Sequence, residues 1–221
     1  MKSLWLVFVT GAGALGCWAQ QSNPDLQMRI VLEQQTGSTF RVVSPQHVFK
    51  TGDMVRFRVR CSSDGFLYVS NRAASGKYSE LFPAKGADNK MQSGQDYRIP
   101  ATAHSWFRIE KPPGYETVFF TFTSSLSRSD EAAPTTKYVK PQSQAAPAEL
   151  MPRCDDAMFR ARGECLDVNA GPSAVPAGDL AGPDALKPRD LSIVQGQDGS
   201  LVTPATPGDS PIIYEFRLAH R

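Results

Sequence analysis

The residues able to do chemistry are few and scattered. A thiol nucleophile needs an imidazole within hydrogen-bond reach. Cys61 with His104 or His220 is the pair the sequence offers. That gives one catalytic reading, an envelope hydrolase or thiol-dependent enzyme using Cys61. The alternative is a small apolar core residue, because Cys61 ends the alternation Val55, Phe57, Val59, Cys61. No C-x-x-C is present, and His47, His104 and His220 are spread along the chain, so no metal set is expected. Asp155, Asp156, Glu164 and Asp167 lack the spacing and glycine of an EF-hand and read as solvated loop acids. Lys50-Thr51-Gly52 matches one element of penicillin-binding enzymes. No lysine has a serine three residues before it, so this segment reads as a turn. No cofactor and no catalytic residue is expected.

Gly11, Gly13 and Gly16 spell a dinucleotide fingerprint after an apolar run. The crossover helix such a fold needs is missing, because Pro24 breaks the next stretch. The segment fits a secretory signal better. Lys2 is followed by the apolar run Leu4 to Leu15, and small residues precede a cleavage point after Ala19. A lipid anchor at Cys17 is a second reading of this segment. Cys154 and Cys165 are then placed to form a local disulfide, as suits an exported protein.

Two basic features remain as candidate binding surfaces. Arg56, Arg58 and Arg60 share one side of a strand at a spacing of about 7 Å. They would suit an anionic glycan or lipid. Arg72, Lys77 and Tyr78 lie in a stretch from Asn71 to Asn89 read as a long loop on a rigid sheet. The formal net charge of +2 argues against a nucleic-acid partner.

The elements that position these residues are strands. Val55 to Cys61 alternates at period two, as do Thr117 to Thr123 and Ile212 to Leu218. Asp64-Gly65 reads as a hairpin turn with Gly65 at positive φ, leading to a return strand from Phe66 to Ser70. Phe66, Tyr68, Phe82 and Phe107 are the expected core aromatics. A second hairpin is expected around Asp198-Gly199, and a short helix over residues 154–162. The fold class is all-β: an antiparallel β-sandwich or partly open barrel with a long Pro/Ala-rich insertion. The expected organisation is a signal peptide at 1–19, a sandwich over 23–133 and 191–221, and an inserted segment at 134–190.

A set of ordered pieces carries a family resemblance. They begin with Phe49 to Val59 and Asp64-Gly65 to Asn71. Gly76-Lys77, Leu81-Phe82-Pro83, Ser93-Gly94-Gln95 and Arg98-Ile99-Pro100 follow, and Pro112 to Glu116 closes the series. In this order they resemble the bacterial family called domain of unknown function 4384. Similar domains stand behind export signals or beside caspase-like peptidases and protein kinases. The resemblance implies a fold and no catalytic residues. The expected function is an exported, periplasmic or secreted, non-enzymatic module that binds a protein or an envelope polymer.

Overall fold

The computed structural model describes residues 26–101, 104–124, 151–175, 190–196, 198–205 and 211–221. The proposed signal segment with Cys17, and residues 134–150 and 176–189 of the proposed insertion, lie outside the described residues. Apolar alternation dictates the strands. In β4 (Met54–Cys61), Val55, Phe57, Val59 and Cys61 are fully buried, and the arginines between them face the other way. In β14 (Ile212–His220), Ile212, Tyr214, Phe216 and Leu218 bury on one side.

The strands form two sheets. Sheet I runs β12 (Leu191–Gly196), β13 (Gly199–Pro204), β1 (Met28–Thr36), β4 and β8 (Asp96–Ile99), with β2 (Thr39–Val43) on β1 and β9 (Phe107–Arg108) on β4. Sheet II runs β11 (Gly171–Ala174), β14, β10 (Gly114–Ser124), β5 (Gly65–Arg72) and β6 (Tyr78–Phe82). There β3 (Val48–Phe49) joins β14, and β7 (Lys90–Met91) joins β5. Pairing is antiparallel except between β3 and β14. The inner faces enclose one core, and the sheets do not close into a barrel, so the fold is a β-sandwich. Phe57 of sheet I meets Phe120 and Phe216 of sheet II edge-on, at centroid distances of 5.4 and 5.1 Å. Phe120 stacks on Tyr214 at 4.9 Å. Full burial of one such ring contributes about 1.5–3 kcal/mol.

Several expectations need correction. Asp64-Gly65 is no hairpin turn: it carries the chain from β4 in sheet I to β5 in sheet II. Gly65 does not have a positive φ. It is required because a Cβ there would run into the Thr123 carbonyl and the Phe122 ring. In β5 the core side is Leu67 and Val69, while Phe66 and Tyr68 are only half-buried on the other face. The stretch 71–89 is not one loop, since β6 returns along β5 after the turn at 73–77.

The stretch 134–190 is not wholly an insertion between strands. Gly171–Ala174 pairs with β14 as an edge strand of sheet II. The Cys154–Cys165 disulfide is formed around the short helix α1 (Asp156–Arg162). Asp167, read as a solvated acid, is 2% exposed. Its carboxylate accepts hydrogen bonds from the Tyr115 hydroxyl at 2.6 Å, and from the backbone N–H groups of Arg153 and Asn169. It thereby fastens the disulfide loop to β10.

Two outcomes follow from this packing. Gly65→Ala should destabilise by about 1–3 kcal/mol through overpacking. Gly196→Ala, where an added Cβ meets the Gly199 carbonyl at 3.4 Å, should stay within about 0.5 kcal/mol. Urea unfolding of both variants checks the contrast. Reducing the disulfide should lower stability by about 3 kcal/mol. Far-ultraviolet circular dichroism should remain unchanged, because Asp167 still holds the segment.

Candidate functional site

The register of sheet I turns the arginine stripe into a two-dimensional array. Across the strands, Leu201, Arg29, Arg60 and Asp96 form one row. Val31, Arg58 and Arg98 form the next, and Val42, Glu33 and Arg56 the third. Met54 and Arg108 continue the face at the β9 end. Paired residues in a ladder share a face, so all these side chains lie on the outer side of sheet I. On this face the strands present six arginines (Arg29, Arg56, Arg58, Arg60, Arg98 and Arg108) against two carboxylates, Glu33 and Asp96.

The two carboxylates are fixed points of the array. Glu33 is buried, with Arg56 Nε at 2.6 Å and Arg58 Nε at 3.3 Å. The Arg56 guanidinium also lies 3.8 Å from the Phe40 ring centroid, a cation–π contact. Arg60 grips Asp96 through two bonds of 2.8 Å, and Arg58 Nη1 stands 3.8 Å away. The hydrogen bonds from Arg60 hold the Asp96 carboxyl below its ordinary pKa, with Arg58 and Arg29 adding to the effect. Arg29, Arg98 and Arg108 are exposed and make no ion pair among the described residues. Between Arg29, Val31, Arg58, Arg60 and Asp96 the surface dips into a recess of about 80 Å³.

The other expected binding residues lie elsewhere. Arg72, Lys77 and Tyr78 belong to the β5–β6 hairpin of sheet II. Arg72 sits 5.6 Å over the Phe119 ring, and Tyr78 packs against Phe119, Val175 and Ile213. Lys77 is exposed at the turn. The six residues are thus divided between the two sheets.

Cys61 lies in the central core, and burial pushes its thiol up to about 12. A thiol so placed is neither ionised at neutral pH nor reachable. His104 is exposed, whereas Cys61 is fully buried.

Sequence reasoning missed a buried polar cluster at one end of sheet II. Asn71 Nδ2 donates to Glu116 Oε2 at 2.7 Å, and His220 Nε2 lies 3.5 Å from Glu116 Oε1. All three residues are buried. The signal was present in the pattern, since Glu116 is in phase with Val118, Phe120 and Phe122, and His220 with Phe216 and Leu218. Burial raises the Glu116 pKa and lowers that of His220. A lowered histidine means that the unfolded chain takes up the proton first. Stability is therefore lost as pH falls below 6.5, the ordinary histidine value, toward the folded-state pKa. The raised carboxyl acts with the opposite sign, adding stability as pH falls through its folded-state pKa. His220→Phe should remove the histidine contribution alone. Urea midpoints at pH 7.5, 6.5 and 5.5 should show the wild type losing stability relative to this variant on acidification.

Among the described residues, no helix is long and apolar enough to cross a membrane. No curated protein and no solved structure matches the chain. Residues 48–125 match a family model, and they span β3 to β10, including the arginines of β4, β8 and β9 but not Arg29 or Glu33 of β1. That model is the one described as domain of unknown function DUF4384.

Proposed function

We propose that the protein is an exported, non-enzymatic bacterial binding module that holds an acidic polymer of the cell envelope on the outer face of sheet I. One observation carries this reading. Six guanidiniums face two carboxylates on that surface, an excess of four positive charges on a chain whose formal net charge is +2. The positive charge is gathered on one face and offset elsewhere. Such a face attracts polyanions and raises their local concentration.

The two carboxylates also serve the reading. Glu33 and Asp96 hold Arg56, Arg58 and Arg60 in fixed positions, so little side-chain freedom is lost when an anion arrives. Arg29, Arg98 and Arg108 supply unpaired charge around them. Export is supported by the apolar N-terminal segment after Lys2 and by the Cys154–Cys165 disulfide. The thiol-enzyme alternative loses its support, because Cys61 is buried and its thiol resists ionisation.

Reversing the three unpaired arginines together (Arg29→Glu, Arg98→Glu, Arg108→Glu) tests the reading without touching a pair that braces the sheet. Retention on an immobilised acidic polysaccharide should fall at least about tenfold, with the urea midpoint nearly unchanged. Retention of the wild type should weaken as salt rises. Equal retention of wild type and triple variant would overturn the assignment of this face.

A further inference from the structure

We propose that the recess between Arg29, Arg58 and Arg60 is a subsite for a single phosphate monoester, so that the polymer is a phosphorylated glycan rather than a carboxylated one. This rests on the reading of the outer face as an anion-binding surface. Arg29 and Arg60 are cross-strand partners, their β-carbons about 5 Å apart. Arg58 is two residues from Arg60 on the same strand, about 7 Å away. Three arginines therefore line one depression, together with Val31 and Asp96.

The chemistry favours a three-oxygen anion. A carboxylate offers two oxygens and one charge, which serve the fork of Arg60 on Asp96 or the pair Arg56 and Arg58 on Glu33. Three arginines against Asp96 leave two positive charges lining the recess, and a carboxylate ligand would meet one of them. A phosphate monoester offers three terminal oxygens and close to two charges near neutral pH. Donors are available for it. Arg29 makes no ion pair among the described residues. Arg58 Nη1 stands 3.8 Å from Asp96, an ion-pair contact longer than a hydrogen bond. A recess of about 80 Å³ has room for a small oxoanion, since about 10–15 Å³ of such space already holds a water.

A membrane surface fits less well. Val31, the apolar residue lining the recess, is 5% exposed. The exposed apolar side chains of this face, Val42 and Val194, sit on β2 and β12, and Val194 stands two strands from Arg29 in its row. Leu201, the apolar neighbour of Arg29 in its row, is only half-exposed.

Asp96 makes the proposal testable in both directions. Its carboxylate lines the recess and repels an incoming phosphate; Asp96→Asn keeps an oxygen to hold Arg60 and removes the charge, so it should strengthen binding. The probe is inorganic phosphate at pH 7.5 and fixed ionic strength, with acetate as the carboxylate, titrated by NMR. Phosphate should bind at least about tenfold tighter than acetate, Arg29→Gln should weaken it about tenfold, and Asp96→Asn should tighten it several-fold. Lys77→Gln, on the other sheet, should change nothing. In a second arm, phosphomannan should outcompete polygalacturonate and vesicles containing phosphatidic acid.

Equal binding of phosphomannan and polygalacturonate, with no effect of Arg29→Gln on phosphate, overturns the phosphate subsite and leaves the anion-binding face standing. Binding of neither polymer overturns both. Weaker phosphate binding in Asp96→Asn places the phosphate elsewhere and overturns the subsite. Preference for the vesicles assigns the face to a membrane and overturns the glycan.

Discussion

The burial of Phe57 fixes the rest of the molecule. Its ring touches Phe120 and Phe216 of the opposite sheet and lies 6.3 Å from Phe107 of its own. A strand has a side-chain period of two, so a slip of one residue would turn every side chain to the other face. Such a slip would bring Arg56 and Arg58 into the core and put Phe57 in water. The penalty for burying those charges locks the register of β4 against β1 and β8. The same lock aligns Arg29 with Arg60 and Arg58 with Arg98. The arginine face is thus a consequence of the aromatic core, seen from its other side.

Charge on the face is organised by a division of labour. Glu33 is buried, hydrogen-bonded by Arg56 and ion-paired with Arg58, and Asp96 grips a third guanidinium in fork geometry. Without these acids, three adjacent arginines on one strand would repel and splay. With them, Arg56, Arg58 and Arg60 form a braced centre, and Arg29, Arg98 and Arg108 form a charged margin. Bracing of this kind supports recognition, because pre-placed donors lose less freedom on binding. Among the described residues, sheet II has no comparable array. There Arg72 and Tyr78 lie over apolar side chains, and Arg217 is held by Glu215 at 2.6 Å.

What was legible in the sequence was whatever one strand shows by itself. The alternation of β4 and β14 gave both the strands and their buried sides. The helix at Asp156–Arg162, the disulfide and the hairpin of β12 with β13 also followed from local signals. What escaped depends on neighbours distant in the chain. Arg29 and Arg98 join the stripe only through register. In β5, aromatic size pointed to Phe66 and Tyr68, yet the crossing at Gly65 sets the phase and turns Leu67 and Val69 inward. Gly171–Ala174 contains no strong strand former. It pairs because the disulfide loop, fastened through Asp167 and Tyr115, brings it to the edge of β14. Glu116 and His220 were visible as polar residues in apolar phase, a pattern that points to a buried polar contact.

The central claim is that one face of one sheet receives the acidic partner. The most direct measurement follows the arginine Nε–H resonances by NMR during titration with phosphomannan. The signals of Arg29, Arg58 and Arg60 should shift together and saturate at one concentration, with Arg72 unmoved. Shifts confined to Arg72 and the backbone of the β5–β6 hairpin, with the sheet I arginines silent, would contradict it.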